Sequence, residues 1–163
     1  MTLKAMEFKE NGVIPVGYWR SVGHSHSAFA IECFMDELAH AAGIDPLSLR
    51  RLSLSKDQRA LAVLNRVASL SGYEAQKKTS MGLARHSGWD SHCAMVVDIA
   101  LGPDKSIRVQ KVWVVEIVSH PPTVSPTGVG ELPVPPVAPA LANALFNLPG
   151  KRVRKLPLTP ADI

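Results

Sequence analysis

Apolar residues recur at three- and four-residue steps through Ala28, Ile31, Met35, Leu38 and Ala42. That spacing predicts a helix from about Ser25 or Ser27 to Ala42, with those five side chains as its buried stripe. Gly43 follows as a stop that tolerates a left-handed backbone. Asp45-Pro46 then reads as a restart: Asp caps free N–H groups, and Pro fits the first helical position. This second helix should end near Leu54. A third is expected from Asp57 to about Leu70, with Leu61, Leu64, Ala68 and Leu70 inward and Gly72 after it. The period then changes. His92 to Leu101 and Ser106 to Val115 are rich in Val and Ile around Gly102-Pro103-Asp104-Lys105, which predicts an antiparallel hairpin. In its second strand Ile107, Val109, Lys111 and Trp113 share one face and Arg108, Gln110 and Val112 the other, so the alternation is only partial.

Seven prolines between His120 and Pro139 exclude a regular helix or central strand there. The stretch reads equally as a linker or as a rigid loop delivering Gly128, Gly130 and Glu131 to a fixed place. Val137 to Leu148 follows as a further apolar helix. Together these elements predict an α+β fold, with helices packed on a short antiparallel sheet.

Composition narrows the function classes. Of 163 residues, 46% are hydrophobic and 20% charged, as in a folded chain. The formal net charge is +4, much of it in Lys151, Arg152, Arg154 and Lys155. No aromatic residues interleave with that run, so it reads as a solvated segment rather than a nucleic-acid surface. Two cysteines, Cys33 and Cys93, exclude a disulfide framework and a cluster or zinc ribbon ligated by this chain alone. No apolar run is long enough to span a bilayer, and Met1 to Asn11 carries too many charges for a secretory signal. No address is legible, and the cytoplasm is the default.

Three groups of residues could carry chemistry. Glu131 follows Thr127-Gly128-Val129-Gly130, whose glycines permit close backbone approach to a ligand. Desolvation among apolar residues would make it a base, although spacing alone favours an exposed turn glutamate. The segment from Gly17 through Trp19, Arg20, Ser21, Val22 and Gly23 to Ser25 precedes a helix start. It reads evenly as an anion site or as a capping loop. His24, His26 and His40 lack metal-ligand spacing, so no metal ligand is assigned.

Gly17-Tyr18-Trp19-Arg20-Ser21-Val22-Gly23-His24-Ser25-His26, followed by Phe29, Glu32, Phe34, Asp36 and Glu37, resembles a known family. It is similar to the molybdopterin-binding region of the xanthine dehydrogenase and aldehyde oxidase family, in its isoquinoline 1-oxidoreductase beta-subunit group. Gly43-Ile44-Asp45-Pro46 through Arg50, Thr127 to Glu131, Pro135 to Ala144 and Gly150 to Leu158 extend the likeness in the right order. The resemblance implies that residues 1–163 form a truncated C-terminal molybdopterin-binding domain of a molybdenum hydroxylase large subunit. That enzyme class oxidises an aldehyde or N-heterocycle with water as oxygen source. By resemblance, Glu131 is the general base, and Trp19, Arg20, Ser21, Val22, Gly23, Gly128 and Gly130 lie against the cofactor. The cofactor implied is molybdopterin in its cytosine dinucleotide form, with iron–sulfur clusters on a small partner subunit. Family large subunits are several times longer, and their segments expected after Val115 are missing, as if deleted. The missing large-subunit portion is therefore a second expected partner. The competing expectation is a non-catalytic remnant or subunit-interaction module.

Overall fold

The computed structural model describes residues 17, 19–73, 80–118, 130–148, 150–159 and 161. The elements run α1 (His24–Ala41), α2 (Pro46–Ser53), α3 (Gln58–Ser71), β1 (Met81–Gly88), β2 (Ser91–Leu101), β3 (Ile107–Ile117) and α4 (Val137–Asn147). The three strands form one antiparallel sheet in the order β1-β2-β3. The expected α+β architecture, helices on a short antiparallel sheet, is the one observed.

Capping follows the sequence closely. Asp45 accepts the Ser48 N–H at 2.8 Å, with Pro46 in the first turn, and Asp57 accepts the Ala60 N–H at 3.0 Å. Gly43 and Gly72 both have positive φ, 65° and 72°, where a side chain would be strained.

Side chains alternate between the two sheet faces, so the sheet divides the core. Leu83, Ala94 and Val96 pack with Val63, Leu64 and Val67 of α3. Ala84, Met95 and Val97 pack on the opposite face with Ala140, Ala144 and Leu145 of α4. Gly82 lets α4 approach. A methyl there would overlap the Ala140 carbonyl oxygen and the Ala144 nitrogen. Asn143 of α4 donates to the carbonyl oxygens of Leu83 at 3.0 Å and Glu32 at 3.3 Å, tying sheet, α4 and α1 together.

Several expectations are corrected. β1 was not foreseen, because Met81-Gly82-Leu83-Ala84-Arg85-His86 carries little β-branched signal. In the second hairpin strand the face expected to be shared by Ile107, Val109, Lys111 and Trp113 is broken at a register shift opposite Asp98 and Ile99. Below it, Trp113, Val115 and Ile117 pack on the α3 face, while Val109, Val112 and Val114 are exposed. In α3, Leu64 and Ala68 are inward as expected, but Leu70 is exposed and Val63 and Val67 take its place.

The largest correction concerns α1. Its inward residues are Ala28, Glu32, Cys33, Asp36 and Ala39, whereas Ile31 and Leu38 are 58% and 43% exposed and Ala42 is exposed. The acidic face is buried because it has cationic partners. Arg50 Nε donates to Glu32 Oε2 at 2.8 Å, its Nη2 to the Glu32 carbonyl at 2.9 Å, and its Nη1 to the Pro46 carbonyl at 3.1 Å. Arg152 Nη1 donates to Asp36 Oδ2 at 2.6 Å, and its guanidinium lies 3.3 Å over the Phe146 ring. Arg154 forms a two-pronged pair with Glu37 at 2.6 and 2.7 Å. Half of the basic run expected to be solvated is therefore paired with α1.

Candidate functional site

The segment before α1 turns sharply. Ser21 and Val22 have φ of 68° and 46°, a left-handed conformation that costs about 1–3 kcal/mol for residues with a side chain. Local hydrogen bonds hold the turn: Val22 N–H to the Trp19 carbonyl and His24 N–H to the Ser21 carbonyl, both at 2.9 Å. Ser25 Oγ donates to the Arg20 carbonyl at 3.1 Å.

This turn meets the segment that enters α4. The Ser21 N–H donates to Glu131 Oε1 at 3.2 Å, and Ser21 Oγ donates to the Glu131 carbonyl at 2.6 Å. Arg20 Nη1 donates to the Gly130 carbonyl at 3.0 Å. Two segments 110 positions apart are thus joined by three hydrogen bonds. Ser21 is fully buried at the joint, while Glu131 is half-buried and Arg20 exposed. The carboxylate is oriented by a backbone donor without being sealed from solvent.

The candidate residues divide as follows. Arg20, Ser21, Gly130 and Glu131 come together at this corner. Trp19 is 80% exposed and, with Val22, lines an open groove of about 460 Å³ between the turn and Val134, Pro135, Val137 and Leu156. Gly23 is the N-cap of α1, with no side-chain cap and room beside it for a methyl. Gly128 lies outside the described residues. Among the described residues, no three His, Cys, Asp or Glu side chains are grouped to hold a metal ion, and no helix is long and apolar enough to cross a membrane.

One cluster beside the corner had no sequence signal. His24, the first residue of α1, contacts His86 of β1 and Trp89 of the β1–β2 turn, at centroid distances of 4.8 and 4.5 Å. Trp89 and Asp90 close that hairpin with φ of 50° and 55°, the geometry of a two-residue primed turn. Such turns normally use Asn or Gly, so Trp-Asp does not announce one. Burial, then His24 and Arg85, lower His86 to a pKa of about 4, and its Nε2 is buried without a hydrogen-bond partner. The thiols of Cys33 and Cys93 are both pushed up to about 12, chiefly by burial, which leaves them protonated and unreactive.

Comparison with known proteins bears on the same residues. Residues 8–54 match the molybdopterin cofactor-binding domain family. The chain is also 26% identical, over 227 positions, to a protein named membrane-bound aldehyde dehydrogenase [pyrroloquinoline-quinone] from Gluconacetobacter polyoxogenes. That alignment covers 90% of this chain but 29% of the relative. With 227 aligned positions against 163 residues, at least 64 positions of the relative face gaps here. The match to the molybdopterin cofactor-binding domain family spans the Ser21 turn, α1 and α2.

Proposed function

We propose that residues 1–163 form the C-terminal cofactor-facing part of a molybdenum hydroxylase large subunit of the isoquinoline 1-oxidoreductase beta-subunit type. The complete assembly would oxidise an aldehyde or N-heterocycle with water as oxygen source. The observation that carries this reading is the joint itself. Two segments singled out by family likeness, 110 positions apart, meet through Ser21 and Glu131. The relative's name carries a quinone cofactor, but the family match includes Trp19 to Gly23, and we therefore assign a pterin.

The donor set fits one edge of such a cofactor. Arg20 is exposed and uses one nitrogen on Gly130, while α1 begins with no side-chain cap and no acidic residue in its first turn. Uncapped N–H groups and a guanidinium together favour an anionic group. Arg20, Ser21, Val22, Gly23 and Gly130 would hold that edge, with Trp19 and Gly128 beside it. When bound, the molybdenum cofactor supplies the two-electron redox chemistry. Glu131 takes the proton released from the oxygen source, its carboxylate aimed by the Ser21 N–H. Electrons would leave through iron–sulfur clusters on a small partner subunit, and the cytosine dinucleotide form of the cofactor belongs to the same reading.

The test uses a molybdenum-containing complex of this chain with its partner subunits. Glu131→Gln keeps size but cannot accept the proton, so turnover should fall about 10²–10⁴-fold with molybdenum content unchanged. Unchanged turnover at equal loading removes Glu131 as the base. The chain purified by itself should contain no molybdenum by metal analysis.

A second reading, a subunit-interaction module without cofactor, has its own support. Ile31, Phe34 and Leu38 on α1, with Val109, Val112 and Val114 on β3, are exposed. At least 64 aligned positions of the relative have no counterpart in this chain, and exposed apolar side chains of this kind suit a partner surface. A partner-bound complex that never acquires molybdenum would decide for this module.

A further inference from the structure

The Glu131 carboxylate is aimed by one backbone N–H, that of Ser21, and Ser21 sits in a strained turn. Such a turn persists only where its surroundings over-determine it. Its C-terminal anchor is the His24 N–H on the Ser21 carbonyl at 2.9 Å. The His24 ring, in turn, rests against His86 and Trp89. Trp89 reaches it only because residues 89 and 90 are themselves left-handed. Gly88 leaves the room for both imidazoles, since a methyl there would lie 3.0 Å from His86 Nε2 and 3.4 Å from His24 Cε1. Two strained turns are therefore keyed to each other through one histidine.

We propose that the β1–β2 hairpin tip is a lock on the catalytic turn, with His24, His86 and Trp89 as positioning residues for the Glu131 carboxylate. The proposal rests on the reading of Glu131 as the working group only for its consequence in activity. The mechanical link stands on geometry. It also makes the lock acid-sensitive. A proton on His86 places a cation in a site whose neighbouring charged or titratable groups are His24 on α1 and Arg85 on β1. Cys93 on β2 stands opposite His86, with Glu116 on β3 behind it, and Arg59 of α3 faces Asp90 at 3.8 Å. His24 and Arg85 both disfavour the new charge, so protonation pushes the tip away from α1 and loosens Ser21.

Amide hydrogen exchange of Ser21 and His24 by NMR tests this without any cofactor. Trp89→Asn suits the primed turn better than Trp and keeps the hairpin, but deletes the ring. It should leave the melting temperature within a few degrees and speed exchange at both amides by at least about tenfold, a loss of roughly 1.4 kcal/mol of local protection. His86→Phe keeps a ring without a titrating nitrogen. In a Glu131→Gln background, which removes a second titrating group from the corner, protection at Ser21 should fall near pH 4 with His86 present and persist once His86→Phe is added. Unchanged exchange in Trp89→Asn, or the same acid limb in His86→Phe, overturns the lock. If both predicted effects appear while Glu131→Gln turns over normally in a loaded complex, the lock stands and the assignment of Glu131 as base falls.

Discussion

The acidic face of α1 and the Glu131 corner are both built on carboxylates, yet they solve opposite problems. Glu32 and Asp36 are buried and answered by Arg50, Arg152, the Arg85 backbone N–H and Asn143, so that one acceptor, Asp36 Oδ1, is left without a hydrogen bond. Arg50 is 1% exposed, and the neighbouring carboxylates hold its guanidinium charged against the cost of burial. At the corner, by contrast, Glu131 is half-buried and held by one backbone donor on a strained turn beside an exposed Arg20. Both regions contribute to the same family-like pattern in sequence. The difference lies in how each carboxylate is held: Glu32 and Asp36 by cations from distant segments, Glu131 by a single backbone donor.

The sharpest way to break that contrast is at Arg50. Arg50→Met leaves Glu32 buried without its main partner and Asp36 with Arg152 alone, and should cost about 3–5 kcal/mol in urea unfolding. A loss below about 1 kcal/mol would mean that the network is not the scaffold. Gly82→Ala comes next, because the added methyl collides with α4 backbone; a cost of about 1–3 kcal/mol is expected by the same measurement. An effect of comparable size should appear with pH. His86 is depressed from 6.5 to about 4, so the unfolded chain binds the proton first as pH falls. Stability should therefore decline from about pH 6.5 to pH 4 and then level, and His86→Phe should flatten that limb in melting curves. Val22→Gly should act with the opposite sign. Relief of left-handed strain, less the extra chain entropy of glycine, gives a gain of about 1 kcal/mol. Smallest of all is Glu131→Gln, expected within about 0.5 kcal/mol of the parent in thermal melts. A large loss there would make the corner scaffold, and the contrast would vanish.

Local chemistry was written plainly in the chain. The caps at Asp45 and Asp57, the stops at Gly43 and Gly72, the four helices and the β2–β3 hairpin all follow from short-range rules, because each is decided by residues within a few positions. Family likeness also singled out Arg20, Ser21, Gly130 and Glu131, which the fold brings together. What only the tertiary structure decided is which face of α1 turns inward and what surrounds the site. Periodicity gave Ile31 and Leu38 to the core, but burial of an acidic face depends on cations from residues 50 and 152, far away in sequence. Likewise β1 exists as a strand because β2 offers it a partner and α4 rests on Gly82, and its own residues signal little. The meeting of His24, His86 and Trp89 has the same origin, since a contact between two strained turns is a property of how elements pack, and no local pattern records it.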